Sequence, residues 1–597
     1  MQFKPRKGDY AGNLTRIGRV LAEVGHMDPP PQVVVFPETA ASGYFLEGGV
    51  RDVAVTGGQM FEDLAAVHRE AAAPAMDVVI GFYEEYRRAY HNSAMYAELG
   101  GDQEGIRHIH RKVFLPTYGV FDEARFVRRA HRVEAFDTQW GRAAILICED
   151  AWHSVAASVA ALDGAEVLFI PSASPARGVV PARVVEQRAD DPTIPRSLER
   201  WERLARTMAG EHGVFVALAQ LVGFEGGKGF PGVSMLSGPT GDLLSRGPLF
   251  SEGIVTATCD LTAVTRARAD APLLTDLRSE LPHLVRPLLD RRRRPPLRYD
   301  AARTPPVTAK VEPSPALPVV VPPPPSDPLA IDPELVRRWL TAFLRDEVVT
   351  RRGFQRVLVG LSGGVDSTLT AFLAADALGP DHVIGVRMPY ATSSRESLDH
   401  AELVTSTLGI EQVTVDITAA VDGYAEELAD RPDPARMGNI MARTRMITLF
   451  DLSAARQALP LGTGNKSERL FGYFTWHADD SPPVNPLGDL FKTQVWALAR
   501  FVGVPEAIVS KPATADLVQG QTDEEDLGVP YAVADPILFH LLGGRRPEEI
   551  VALGFGAEEV ETVNRRLNAT HWKRRLPTVA MLSHTAIGEY YLRPVDY

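Results

Sequence analysis

The hydrophobic positions of the chain follow two rhythms. Between residues 32 and 244, short apolar runs rich in β-branched and aromatic residues read as strands: QVVVFPE, DVVIGFYE, RAAILICED, AEVLFIPS, GVFVALAQ and GVSMLSGPTGDLL. Longer stretches around and between them, such as Asn13–Val24, Gly58–Ala73 and Leu198–Gly210, read as helices able to cover those strands. After residue 328 the order changes. A helix-like PELVRRWLTAFLRDEVV leads to the strand RVLVGL, a Gly-rich turn, the helix STLTAFLAADAL and the strand HVIGVRMP. That is a βαβ beginning, which predicts a parallel sheet with ligands at the C-terminal ends of its strands. Both halves are therefore expected to be α/β.

Between the halves, a stretch beginning with Arg291–Arg294 and ending in VVVPPPPSDP breaks both rhythms. Proline at that density fixes φ and removes donors, which predicts an extended, semi-rigid tether. A polyproline ligand for an SH3-type partner is the alternative reading. The boundaries expected are a first domain at 1–288, the linker at 289–328 and a second domain at 329–597. A length of 597 residues suits two domains with cores of their own, and 45% hydrophobic with 23% charged residues is ordinary for globular chains. Two cysteines, Cys148 and Cys259, build no disulfide framework and suit a reducing cytoplasm. Apolar runs such as Val33–Phe36 fall short of the ~20 residues of a membrane span, and MQFKPRKGDY has no secretory h-region. A net charge of −13 argues against nucleic acid. The expectation is a cytoplasmic enzyme with small-molecule substrates, no nucleic-acid partner and no membrane partner.

The turn after RVLVGL is Ser362-Gly-Gly-Val-Asp-Ser367. Gly363 and Gly364 let backbone N–H groups approach an anion, and the helix that follows adds a positive dipole end. Asp366 is misplaced for phosphate and better suited to a magnesium ion bridging phosphates. The loop is not GxxxxGK[ST]. It resembles the pyrophosphate loop of the ATP pyrophosphatases, which adenylate a carbonyl oxygen so that ammonia can displace AMP.

Five later segments narrow the resemblance: Gly438–Met446, Leu461–Glu468, Gly472–Thr475, Asn485–Thr493 and Gly520–Glu525. In that order they resemble the NAD synthetases over most of 330–577. The resemblance implies a Rossmann-like parallel-sheet domain that uses ATP and Mg2+. It assigns ATP to Gly360, Leu361, Ser362, Gly363, Gly364, Val365, Asp366, Ser367, Thr463 and Lys492, and magnesium to Asp366 and Glu468. Deamido-NAD falls to Asn439, Arg443, Glu468, Tyr473, Phe474, Thr475, Trp476 and Lys573. Asn439 and Arg443, four apart, would share a helix face. The chain departs from the pattern at Met441, where a polar residue is expected, and at Trp476–Asp480.

In the first half, Cys148 ends the apolar run Ala143–Ile147 and is followed by Glu149-Asp150. A lone cysteine is more often a small buried hydrophobe than a nucleophile. Two other segments change that balance: FPE ending at Glu38, and RKVFLPTYGVFDE, which carries Lys112 and Glu123. A thiol is mostly protonated at neutral pH, so a base and a cation have clear uses. The set resembles the nitrilase superfamily over residues 2 to about 262, which implies a four-layer αββα fold. By that resemblance Glu38, Lys112 and Cys148 form the triad, Glu123 supports it, and Tyr118, Ser174 and Arg177 hold glutamine. The Glu149 N–H would help bind the oxyanion. The family's first strand normally precedes QFKPRKGD, so here either the protein begins upstream or that strand is short.

An amidase releases the ammonia that a synthetase consumes, and the fusion resembles the glutamine-dependent NAD synthetases. It implies deamido-NAD, ATP and glutamine as substrates, passage of ammonia through a channel, and a homo-oligomer. The alternatives are an ammonia-dependent synthetase with an inactive scaffold in its first half, and a carboxylate acceptor other than deamido-NAD.

Overall fold

The computed structural model describes residues 1–46, 49–176, 178, 194–290, 327–514 and 522–574. They divide between two compact units, one drawn from Met1–Ser174, Glu199–Val222 and Pro231–Asp327, the other from Pro175–Leu198, Gly223–Phe230 and Pro328–Tyr597. Of the stretch 289–328, residues 291–326 lie outside the described residues.

The first unit holds two sheets. One has the order β1 (Val33–Val35), β2 (Met76–Tyr86), β3 (Ala89–Leu99), β4 (Gly105–Arg111), with β1 parallel to β2 and the rest antiparallel. The other runs β12-β11-β8-β7-β6-β5, from Leu243–Arg246, Met235–Ser237, Phe215–Gln220, Val167–Ser172, Arg142–Ile145 and Ala135–Asp137. Its three central strands, β6, β7 and β8, are parallel. The pair β9 (Val222–Glu225) and β10 (Lys228–Pro231), most of which belongs to the second unit, forms a two-stranded sheet of its own. Strand β7 is buried at every position, as an unbroken apolar run covered on both faces should be.

The helix Tyr10–Gly25 starts where Asp9 accepts from the Gly12 N–H at 2.9 Å. Its Leu14, Ile17 and Leu21 join Met60 and Leu64 of the helix Gly57–Glu70 against Val78, Ile80 and Phe82 of β2. Between the sheets, the ring of Tyr96 meets Phe136 at 5.0 Å and Phe169 at 6.0 Å. The alanine-rich helix Ser154–Leu162 and the helix Arg196–His212, with Trp201 buried, complete an αββα layering. Strands β3 and β4 were not among the expected ones. β3 buries His91, Asn92 and Ser93 amid small apolar residues, and β4 interleaves basic residues, so neither shows an apolar run. Gln2 and Phe3 form single bridges to Gly253 and Leu221.

In the second unit four parallel strands have the order β15 (Glu411–Thr414), β14 (Val383–Arg387), β13 (Arg356–Gly360), β16 (Ala458–Pro460). The helix Val365–Leu378 joins β13 to β14 as the expected βαβ unit. Its Leu369 and Leu373 pack with Val357 and Val359 of β13. A separate apolar cluster gathers Phe471, Phe491, Tyr531 and Leu538. Among the described residues, no helix is long and apolar enough to cross a membrane.

One glycine fixes how the turn after β1 sits on β2. A Cβ at Gly81 would lie 2.4 Å from the Thr39 nitrogen, 2.6 Å from the Pro37 oxygen and 2.7 Å from the Glu38 Cα. All three are main-chain atoms, so the clash cannot be relieved by a side-chain rotation. Gly81→Ala should lower the stability of this unit by about 1–3 kcal/mol. Denaturant unfolding checks this, and an unchanged midpoint would contradict it.

Candidate active sites

Cys148 lies just past β6, at the elbow between that strand and the short helix Glu149–Trp152. It holds φ 45°, a strained value for a residue with a Cβ. Its N–H donates to the Pro171 oxygen at 3.0 Å, and the Ser172 hydroxyl donates to Sγ at 3.4 Å. The elbow is tied down by Asp150, which is fully buried. That carboxylate accepts from the Ile147 N–H at 3.1 Å, from Val113 N–H at 3.0 Å and from Phe114 N–H at 2.8 Å. Its second oxygen also lies 2.9 Å from His110 Nε2. One side chain therefore anchors both the cysteine elbow and the backbone that follows Lys112.

Lys112 is buried, with Nζ 2.6 Å from Glu38 Oε1 and 2.8 Å from Glu123 Oε2. Burial pulls its ammonium down, but the charges of Glu123 and Glu38 outweigh that and hold it well above the usual lysine range. Glu123 is pushed up by burial against the pull of Lys112. The Cys148 thiol is pushed well up, first by burial and then by the Glu38 charge, while Lys112 opposes. The resting site thus holds a neutral thiol beside a lysine and two carboxylates. Glu38 Oε2 accepts from the Ala173 N–H at 2.9 Å. Asn92, which sequence reasoning missed, donates to both Glu38 and Glu123.

The other residues expected around this site are placed less uniformly. Tyr118 is exposed and donates to Glu149 Oε2 at 2.8 Å. Ser174 accepts from Trp201 Nε1 at 2.7 Å. Arg177 lies outside the described residues.

At the end of β13, Ser362–Ser367 turns into the helix Val365–Leu378. Gly363 has φ +75°, and a Cβ there would lie 2.3 Å from the Ser397 oxygen, so only glycine fits. A cavity of about 310 Å³ opens here, lined by Gly360–Ser362, Gly364–Ser367, Thr463, Glu468, Tyr473, Phe474 and Lys492. Lys492 Nζ sits 2.5 Å from Asp366 Oδ2 and 3.5 Å from Glu468 Oε1. Asn465 donates to Asp366 Oδ1 at 2.9 Å. Glu468 has a second task, since its Oε2 accepts from the Asn465 N–H at 3.1 Å in the capping box of the helix Lys466–Phe471. Burial and then the Asp366 charge push Glu468 up to about 8, with Lys492 opposing. Burial lowers the Lys492 ammonium, but Asp366 and Glu468 raise it overall.

Two residues that were assigned no role also line this cavity, Asp523 within the segment Gly520–Glu525 and Lys511 outside every motif. Asp523 is buried, with Oδ1 unpartnered, and Lys511 donates to the Ser397 hydroxyl at 3.0 Å. Among the described residues, no three His, Cys, Asp or Glu converge as a metal cage. Two carboxylates beside a glycine-rich loop at a helix N-terminus fit a magnesium ion that takes its other ligands from phosphates and water.

Asn439, Arg443, Thr475, Trp476 and Lys573 do not line the cavity. Arg443 donates to the Asn439 oxygen at 3.4 Å and to the Trp476 oxygen at 3.2 Å, so the expected shared helix face holds. Lys573 donates to the Gly472 oxygen at 2.8 Å and the Phe474 oxygen at 3.1 Å. The rings of Trp476 and Trp572 meet edge to face at 5.3 Å. Met441 packs with Ile417 and Val421 in an apolar cluster, which explains the loss of a polar residue there.

The NAD synthase family model matches residues 336–577, and the carbon-nitrogen hydrolase model matches residues 1–269. Over 265 residues the chain is 46% identical to the NH(3)-dependent NAD(+) synthetase of Trichlorobacter lovleyi, covering 44% of this chain and 96% of that one. It is 42% identical to the NH(3)-dependent NAD(+) synthetase of Fusobacterium nucleatum, over 41% of this chain and 95% of that one. Among solved structures, the glutamine-dependent NAD+ synthetase of Acinetobacter baumannii in complex with adenosine diphosphate matches with a TM-score of 0.66 and 23% identity, over 97% of this chain and 94% of that one. A glutamine-dependent NAD(+) synthetase from Cytophaga hutchinsonii matches with a TM-score of 0.67 and 16% identity, over 96% and 92%. At those identities the likeness is one of fold. The class is a carbon-nitrogen hydrolase unit joined in one chain to a synthase unit. The chain belongs to the NAD synthase family.

The raised Glu468 gives this unit a pH signature. Between about pH 4.5 and 8 the ligand-free fold keeps a proton on Glu468 that the unfolded chain gives up, so its contribution to stability falls as pH rises through that window. Melting of ligand-free protein across this range should show the decline, and Glu468→Gln should flatten it. An equal slope in the variant would contradict the assignment.

Proposed function

We propose that the protein converts deamido-NAD, ATP, glutamine and water to NAD, AMP, pyrophosphate and glutamate. The observation that carries the reading is the pairing, in one chain, of the buried Glu38–Lys112–Glu123 group beside Cys148 with a glycine phosphate loop in a unit of the NAD synthase family.

In the first unit Cys148 Sγ attacks the side-chain amide carbon of glutamine while Glu38 takes the thiol proton. Lys112 and the Glu149 N–H stabilise the tetrahedral oxyanion. Collapse returns the proton from Glu38 to the leaving nitrogen and leaves a glutamyl thioester. Water activated by Glu38 then resolves it. Tyr118, Ser174 and Arg177 hold the amino-acid end of glutamine.

In the second unit the N–H groups of Ser362–Ser367 and the start of the following helix bind the ATP phosphates, with Thr463 and Lys492 beside them. Asp366 and Glu468 would hold Mg2+, which when bound shields phosphate charge. The nicotinate carboxylate attacks the α-phosphorus, pyrophosphate leaves, and ammonia then displaces AMP from the carbonyl carbon. Deamido-NAD is held by Asn439, Arg443, Glu468, Tyr473–Trp476 and Lys573. Ammonia handed over directly stays unprotonated, whereas in neutral water most of it would be ammonium. A cytoplasmic homo-oligomer completes the reading, and sedimentation as a monomer would remove that part.

With glutamine as donor, Cys148→Ala should lose NAD formation by on the order of 10³-fold or more, while ammonium-driven synthesis stays at the parent rate. Ammonium-only activity in the parent would make the first half a scaffold. Failure of both donors would call for another carboxylate acceptor. Gly363→Ala forces a Cβ against the Ser397 backbone and should weaken ATP use about tenfold or more with either donor. An unchanged KM for ATP would separate the loop from phosphate binding.

A further inference from the structure

Asn92 lies mid-strand in β3 and is fully buried. Its Nδ2 donates to Glu38 Oε1 at 2.8 Å and to Glu123 Oε1 at 2.5 Å. Both hydrogens of one amide nitrogen are thus spent on carboxylates, and Oδ1 is left without a partner. The reverse orientation would set Oδ1 against two acceptor oxygens of carboxylates that already receive the Lys112 ammonium, so the donor-facing orientation is the one observed. The same residue fixes the lysine from behind, since the Lys112 N–H donates to the Asn92 backbone oxygen at 2.9 Å.

The two oxygens of Glu38 are consequently unequal. Oε1 receives two donors, Lys112 Nζ at 2.6 Å and Asn92 Nδ2 at 2.8 Å. Oε2 receives one, the Ala173 N–H at 2.9 Å. A carboxylate oxygen has about two acceptor positions, so Oε1 is full and Oε2 keeps one open. We propose that Asn92 is a positioning residue that, with Lys112, saturates Glu38 Oε1 and makes Oε2 the atom that takes the Cys148 proton and returns it to the leaving nitrogen. This rests on the amidase reading above. As the S–C bond forms, the carbonyl π pair moves to oxygen and the thiol proton passes to Oε2. On collapse the C–N bond breaks, that proton goes to nitrogen, and ammonia and the thioester result. Asn92 itself neither gains nor loses a proton.

The charged and titratable groups around Glu38 are Lys112, Glu123, the Cys148 thiol and Tyr44, whose ring lies 5.6 Å from Lys112 Nζ. Taking a donor away from two neighbouring carboxylates, or adding a third carboxylate, favours their protonated forms. In the full-length protein, Asn92→Ala should lower kcat for glutamine about tenfold or more with KM little changed. The acid limb of its kcat/KM profile should move up by about one pH unit. Asn92→Asp, nearly the same shape, should move it further and regain part of its activity at alkaline pH. A uniform loss with the acid limb in place, or a raised KM with kcat intact, would overturn the proposal. The pH profile of Cys148 alkylation by iodoacetamide needs only thiol and base, and the same shift is expected there. An unmoved alkylation profile in Asn92→Asp counts against Asn92. A parent that ignores glutamine counts instead against the proposed function, and the alkylation profile still decides the role of Asn92.

Discussion

An ammonium ion held out of water between two carboxylates is the constraint on which both units are organised. Lys112 sits between Glu38 and Glu123, and Lys492 between Asp366 and Glu468. Neither cation could stay ionised there alone, and neither carboxylate pair could be brought so close without it. Removing Lys112 would leave two buried carboxylates facing each other, at a cost of about 3–5 kcal/mol. Each group has more acceptor oxygens than its one ammonium can satisfy, which draws in further donors. In the first unit these are the Asn92 amide and the Ala173 N–H, and in the second the amide and N–H of Asn465. The two sites share an electrostatic plan.

The strands explain why such plans can be held in place. Cys148 follows β6, Ser172 ends β7, and the loop Ser362–Ser367 follows β13, all at the C-terminal ends of parallel strands. There the backbone leaves the sheet with its N–H groups turned outward, so a short elbow can present a nucleophile or an anion cradle on a rigid base. Strain is tolerated at these points because the neighbouring strands hold the chain, as at the positive φ of Cys148.

Much of this was legible in the sequence, and the exceptions have physical causes. The βαβ unit and the glycine turn after β13 could be read from apolar runs and spacing, whereas the αββα layers and the grouping of Glu38, Lys112 and Cys148 were what the family resemblance implied. Asn92 came from neither. A single buried asparagine in a strand has no period, and its partners lie 54 and 31 residues away. Strand β3 was overlooked for the same reason, since its buried face is polar where it meets the site. Motif membership gathered Asn439, Arg443, Trp476 and Lys573 on paper, but they stand outside the cavity that the phosphate loop opens. Met441 read as a departure within a site, yet helical geometry already argued otherwise. It is two residues from Asn439 and two from Arg443, which turns it to the opposite side of the helix Pro434–Arg456 and into the core.

Asp150 touches no atom of the reacting group, but it grips Ile147 on one side and Val113 and Phe114 on the other. The chain beside Cys148 and the chain beside Lys112 are therefore tied to one carboxylate. For the N–H of Ile147, Val113 or Phe114 to meet solvent, the same carboxylate must let go, so these three amides belong to one cooperative opening event. The first site then exists whole or not at all on the timescale of hydrogen exchange, and a half-assembled site with a loose cysteine and a fixed lysine is not among the states the fold visits cheaply.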